Sequence, residues 1–242
     1  MSHRFLAMPI PALLLQLTMG CSHAAGGGAP APVPAPLPVP VPNGLKGCAP
    51  GGPAAADMEH TVSALRGRSL GCFQSSDTTA LHGSKKTHAL PLETAFAVET
   101  TGGPYAAQDL DKLKSEVAET WKNFEPLSQD TRADYDRRIN SLIEAGAHQE
   151  TSKPAGSDNP PVLVSIEQLG PRSFAVVTIR RRQISLDGEF FSVTRADAAA
   201  VVLEHAKLIR LSIARDLRST SDVAAIREEI ADWAYAALAG AP

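Results

Sequence analysis

The stretch that decides the fold reads VLVSIEQLGPRSFAVVTIRRRQISLDGEFFSV and runs from Val162 to Val193. Its apolar and β-branched residues fall into three segments, at 162–169, 173–186 and 189–193. Gly170-Pro171-Arg172 separates the first two segments, and Asp187-Gly188 separates the last two. An Asp-Gly pair between apolar strands is the strongest short signal for a two-residue hairpin. The stretch therefore predicts three antiparallel strands that follow one another as a meander.

Two segments before the meander have apolar residues at helical spacing. The first is 108–124, with the stripe Leu110, Leu113, Val117, Trp121 and Phe124. Pro126 prevents its continuation, and Ser128 is suited to cap a second helix that ends near Gly146. The short link predicts an antiparallel hairpin of helices, with Trp121 in the core. The proline- and glycine-containing segment 148–161 is expected to be a loop.

Two more helices are predicted after the meander. Thr194 and Asp197 resemble a capping box, and the apolar residues that follow, as far as Ile213, recur at intervals of three and four. His205 falls on the apolar face of this helix, so we expect a hydrogen-bonded core histidine rather than a ligand. The last helix is expected to begin at Ser219 or Ser221 and to end at Gly240.

The region before residue 108 is harder to assign. Asp57 is suited to cap a short helix that ends near Gly67. Segment 69–89 is rich in Ser, Thr and Gly, which favours a loop with one short strand near Cys72, and 90–100 is expected to be a strand. The whole pattern predicts an α+β fold: an antiparallel meander of three to four strands covered by helical hairpins.

The chain begins with the features of an export signal. A short positive region, Met1–Arg4, precedes an uncharged apolar run of 15 residues, Phe5–Met19. The next residues, Leu17-Thr18-Met19-Gly20-Cys21, resemble the lipobox of bacterial lipoproteins, although Thr18 stands where that family usually has Leu. The resemblance implies that Cys21 is lipidated and anchors the chain to a membrane. The alternative is ordinary signal cleavage after Ala24, which would release a soluble periplasmic or secreted protein.

A proline-rich arm follows the signal. Proline occupies every second position from Pro30 to Pro42, which predicts an extended polyproline II segment about 40 Å long. The predicted organisation is a signal at 1–20, a disordered Pro/Ala/Gly-rich tether at 21–56 and one domain at 57–242. Cys48 and Cys72 remain as an even pair in an exported protein, so we expect a disulfide between them.

Charge and motifs restrict the function. The first 56 residues carry only Arg4 and Lys46, so the remainder holds 21 basic and 26 acidic residues, and this balance argues against a nucleic-acid partner. No nucleophile elbow, Ser-x-x-Lys pair, His-Glu-x-x-His or phosphate-binding glycine loop is found in the sequence. We therefore predict no metal, no cofactor and no catalytic residues.

Arginines near the centre of the meander are the candidate binding residues. Strand alternation places Arg180 and Arg182 on one face of the sheet and Arg181 on the other, and Arg172 and Arg195 lie near strand ends. One interpretation is a surface that binds an anionic partner, such as a phosphate-bearing glycan, a lipid headgroup or an acidic protein. The other, which we favour, is a solvated strand whose arginines pair with some of the 26 acids.

Two functional hypotheses follow. The favoured one is a non-enzymatic binding or adaptor protein of the bacterial envelope, anchored to the outer membrane on its periplasmic side, with an envelope protein or an anionic glycan as partner. An inhibitor or immunity protein is one version of it. The alternative is a periplasmic hydrolase of cell-wall or lipid material with its site near residues 72–90, where Ser76, His82 and His88 occur.

Overall fold

The structure is a computed structural model, and it describes residues 39–83, 86–122, 132–146 and 161–240. The strands are β1 Leu45–Gly47, β2 Gly67–Ser75, β3 Thr78–His82, β4 Thr87–Pro91, β5 Glu93–Thr100, β6 Val162–Gly170, β7 Ser173–Leu186, β8 Glu189–Glu204 and β9 Lys207–Asp216. The helices are α1 Pro53–Ala64, α2 Ala107–Trp121, α3 Arg132–Gly146 and α4 Thr220–Ala239.

A large antiparallel sheet forms the centre of the fold. Seven strands pair in the order β1-β2-β5-β9-β8-β7-β6, and β3 pairs with β4 in a separate hairpin. The α+β class is therefore confirmed. The expected size of the sheet, three to four strands, is wrong, because segments predicted as helix and loop are also strands.

The predicted meander is present as β6, β7 and β8. Asp187 and Gly188 form the turn between β7 and β8, and both have positive φ (51° and 82°), as a type I′ turn requires. The helix predicted to begin at Thr194 is wrong: β8 continues to Glu204, and β9 returns beside it. His205 lies in the turn between them with φ 47° and is exposed, so it is not a core residue.

The N-terminal half of the domain also differs from the prediction. Segment 69–89 contains most of β2, all of β3 and the start of β4 rather than a loop. Helix α1 begins at Pro53, whose fixed φ suits the first turn of a helix, so Asp57 lies inside the helix and not at its cap. The predicted strand at 90–100 is present as β5, with its first two residues belonging to β4.

The helices α2 and α3 lie on opposite faces of the sheet. Buried residues of α2 pack against Phe174, Val201 and Leu208. Ile139 of α3 belongs to a different cluster, which also contains α4 and the opposite side of the same strands. The predicted hairpin of helices is therefore wrong, although both helices exist and Trp121 is buried as expected. Phe124, Pro126, Ser128 and residues 148–160 lie outside the described residues.

Strand alternation gives the sheet two chemically different faces, named here after the helices that cover them. On the α4 face, alanines of β8 and aliphatic residues of β9 pack against the apolar stripe of α4, which includes Ile226, Ile230 and Trp233. On the α2 face, two separate apolar clusters lie toward opposite ends of the strands. One cluster packs under α2, and the other packs under the β3–β4 hairpin.

Candidate binding site on the α2 face

A group of charged residues crosses the α2 face of the sheet between its two apolar clusters. On β8, Val201 belongs to the cluster under α2 and Val193 to the cluster under the hairpin. Three residues between them point the same way, Arg195, Asp197 and Ala199, and must lie between the clusters. Register adds neighbours from β7 and β9. We call the group the arginine band and define it as Arg180, Arg195, Asp197, Arg210, Ser212 and Asp216.

Two of the three arginines in the band have carboxylate partners. Arg180 donates to both oxygens of Asp197, through Nε to Oδ2 and through Nη2 to Oδ1 at 3.1 Å. Arg195 Nε lies 3.2 Å from Asp216 Oδ1, and its Nη2 donates to the carbonyl oxygen of Ala214 at 2.9 Å. These pairs offset the repulsion between Arg180 and Arg195, which face each other directly across β7 and β8.

The third arginine, Arg210, has no carboxylate within ion-pair distance among the described residues. Its Nε donates to Ser212 Oγ at 3.1 Å, while its Nη1 is buried and has no hydrogen-bond partner. The pKa of Arg210 is lowered to about 10, mainly by burial and also by the nearby charge of Arg180, while the charge of Asp197 acts in the opposite direction. A guanidinium with this pKa is still protonated at neutral pH.

The band is partly open to solvent. The side chains of Arg180 and Asp197 are 20% and 18% exposed, and those of Arg195 and Asp216 are 12% and 8% exposed. Ser212 is half-buried. Arg180 and Asp197 are therefore accessible to a partner, whereas Arg210 and Asp216 are buried.

The structure brings together some of the predicted arginines and separates one. Arg180 and Arg195 belong to the band, and Arg182 lies on the same face two residues further along β7, half-buried. Arg172 lies in the β6–β7 turn, about 26 Å along the strand from Arg180, and pairs with Glu204 at 2.9 Å. Arg181 lies on the α4 face, where its Nε donates to Ser192 Oγ, so the predicted alternation is confirmed.

Sequence reasoning missed Arg210 and Asp216 as site residues, and it read Asp197 and Ser212 as parts of a helix. The signal that identifies them is the period of two in β9. Leu208, Arg210, Ser212, Ala214 and Asp216 alternate with residues that face the α4 core, among them Ile209, Leu211 and Ile213. A pattern of this kind indicates a strand with one face that is more polar than the other.

The residues behind the hydrolase hypothesis do not form one site. Leu81 pairs with His88, and His82 pairs with Thr87, so the two histidines lie on opposite faces of the β3–β4 hairpin. His82 and Ser76 are exposed. His88 is instead part of the packing: its ring lies edge-on to Phe191, and its Nε2 lies 3.3 Å from Glu189 Oε2.

A second charged cluster lies on the α4 face. Arg215 donates to the carboxylates of both Glu93, on β5, and Glu229, on α4. The pKa of Glu93 is raised to about 7, mainly by burial, which Arg215 opposes and the charge of Glu229 reinforces. One arginine between two carboxylates leaves one negative charge uncompensated, so the cluster takes up a proton more readily than an ordinary carboxylate does.

The end of the proline-rich arm is attached to the domain on this same face. Val39 and Leu45 pack against the core cluster that contains α4, and Trp233 Nε1 donates to the carbonyl oxygen of Pro40 at 2.8 Å. Further along, β1 pairs with β2, and a disulfide joins Cys48 to Cys72 as the sequence predicts. Residues 39–56, which the sequence assigns to the tether, therefore contact the domain.

Other features of the described residues give no site. A cavity of about 70 Å³ between residues 41–43 and α4 is far smaller than a typical ligand pocket. Residues 39–83, 86–122, 132–146 and 161–240 contain no cluster of three metal-ligating side chains. Within those ranges, no helix combines the length and the apolar character needed to cross a membrane.

Comparison of the chain with protein-family models, with curated proteins and with solved structures gives no match.

Proposed function

We propose that the chain is an exported lipoprotein of the bacterial envelope and acts as a non-enzymatic binding or adaptor protein. Lipidated Cys21 anchors it to the outer membrane, and residues 21–38 form the spacer. The arginine band is the contact surface, and the partner is an envelope protein or an anionic glycan.

The observation that carries the proposal is the position of the arm relative to the arginine band. Pro40 is bound by Trp233 on the α4 face, whereas Arg180, Arg195 and Arg210 lie on the α2 face. An anchored domain with this arrangement directs the arginine band away from the point where the tether is attached. That geometry suits a protein that is held in place and presented to a partner.

The multiple attachments of the arm support the same proposal. A tether that only connected the domain to a membrane would need no fixed contact with it. Here the disulfide, the β1–β2 pairing and the Trp233–Pro40 hydrogen bond fix residues 40–48 independently of one another. A fixed attachment limits rotation of the domain about its tether, and it therefore keeps the presented face oriented.

The anchoring part of the proposal is tested by the intact mass of the mature protein from fractionated bacteria. We expect the chain in the membrane fraction, with Cys21 as its first residue and an added diacylglyceryl mass. Alkylation before reduction should add nothing, because Cys48 and Cys72 form a disulfide. The variant Cys21→Ser serves as the control and should lose the acyl mass. A soluble wild-type chain that begins at Ala25 would contradict the proposal.

A further inference from the structure

We infer that the arginine band is a binding site for one oxyanion group of single negative charge, a carboxylate or a phosphodiester, held by Arg210 beside Ser212. The inference rests on the proposed function, because it names the chemical class that the proposed contact surface recognises.

The charges of the band do not balance within the described residues. Arg180 is paired with Asp197, and Arg195 with Asp216, so each pair is neutral. Arg210 remains as one excess positive charge, with only a hydroxyl, Ser212 Oγ, as hydrogen-bond acceptor. A ligand that completes the cluster without overcompensating it carries one negative charge.

The environment of Arg210 makes this excess charge unfavourable for the stability of the protein when no ligand is bound. Its cross-strand neighbours are Val98 on β5 and Val201 on β8, both buried. A buried charged donor without an acceptor lowers stability, and an apolar side chain of similar volume in its place is often neutral or stabilising. Residues that violate the packing rules in this way are expected at functional sites.

The chemistry of the position favours an oxyanion. A guanidinium presents its N–H groups in a planar fork that matches two oxygens of a carboxylate or a phosphodiester. Ser212 adds a hydroxyl, which accepts from Arg210 Nε and keeps its own proton to donate. Ser212, Phe96 and Ala199 are half-buried and lie side by side across β5, β9 and β8, so they connect Arg210 with solvent.

Arg210 Nη1 is covered in this structure, so binding requires its side chain to move. The experiment therefore observes Arg210 itself. In the purified full chain, the ¹H–¹⁵N signal of Arg210 Nε is identified by its loss in Arg210→Met. Acetate and dimethyl phosphate are then titrated separately, with KCl at equal ionic strength as the reference.

We expect a saturable shift of the Arg210 signal with at least one of the two anions, and no such shift with KCl. Acetate alone would identify a carboxylate ligand, and dimethyl phosphate alone would identify a phosphodiester. A signal that responds to neither anion beyond the KCl reference would overturn the inference.

Two variants separate binding from structure. Arg210→Met should weaken anion binding about tenfold or more, measured from signals of neighbouring residues. It should melt at the same temperature as the wild type or higher. The control Arg227→Met removes the same charge from the exposed side of α4 and should leave anion binding unchanged. Unchanged binding by Arg210→Met, or a clearly lower melting temperature, would overturn the inference. Neither result depends on where the protein is anchored.

Discussion

Removal of the Cys48–Cys72 disulfide should lower the free energy of unfolding by about 3–4 kcal/mol. The two cysteines are separated by 24 positions, and the closed loop contains α1 and the start of β2. Cross-linking a loop of this length mainly restricts the unfolded chain. The folded chain keeps other contacts at the same place, including the hydrogen bond from Cys48 N to Cys72 O at 3.0 Å. We therefore expect the variant to fold as the wild type does and to unfold more easily.

The assay is urea denaturation of Cys48→Ser/Cys72→Ser beside the oxidised and the reduced wild type. With an m-value of about 2–3 kcal/mol/M, the midpoint should fall by about 1–2 M. The reduced wild type controls for the serine side chains and should unfold near the double variant. A loss below about 1 kcal/mol would show that the loop is already restricted in the unfolded state and would refute the entropic argument.

Three further predictions concern stability. The pKa of Glu93 is raised from 4.5 to about 7, mainly by burial. Between these two pH values the folded chain keeps a proton that the unfolded chain releases, so the free energy of unfolding falls as the pH rises from 4.5 to about 7. Allowing for solvent screening, we expect a loss of about 1–2 kcal/mol in urea melts, and Glu93→Gln should remove it. Trp121→Ala should cost about 3–5 kcal/mol, because it empties a buried site under α2. Trp233→Phe should cost about 1–3 kcal/mol in the same assay and expose residues 39–43 to proteolysis, because Pro40 loses its donor.

Each of these three predictions has a result that contradicts it. For Glu93, an identical pH dependence in wild type and Glu93→Gln would show that the carboxylate is charged throughout. For Trp121, a change in the free energy of unfolding below about 1 kcal/mol would show that its side chain is not part of the core. For Trp233, unchanged stability together with unchanged proteolysis would mean that the arm is held by the disulfide and β1 alone.

The sequence predicts the β6–β7 edge of the sheet better than its central strands β8 and β9. Strands β6 and β7 and the Asp187-Gly188 turn follow directly from alternation and turn chemistry. Strand β8 is predicted as a helix because its alanines, Ala196 and Ala198–Ala200, are the strongest helix formers, and because residues 198–203 are all apolar and show no alternation. The His205-Ala206 turn has positive φ at both residues but contains no glycine, so it gave no signal in the sequence.

The candidate site was only half predictable for a related reason. Arg180, Arg182 and Arg195 stand out in the sequence, but their partners are determined by strand register. Once β8 and β9 are strands, Arg195 faces Asp216, and Arg180 reaches Asp197. The opposite placement of α2 and α3 was likewise not predictable, because a short link alone does not say whether the chain crosses the edge of a sheet.

The central claim, that the α2 face is the contact surface, is tested most directly by photo-crosslinking in intact bacteria. A photoreactive phenylalanine replaces Phe96, which lies beside Ser212 on the α2 face. The matched control replaces Tyr235, an exposed aromatic residue of α4. We predict that irradiation gives crosslinked products of higher mass from position 96 and few or none from position 235. Products from position 235 alone, or from neither position, would contradict the claim.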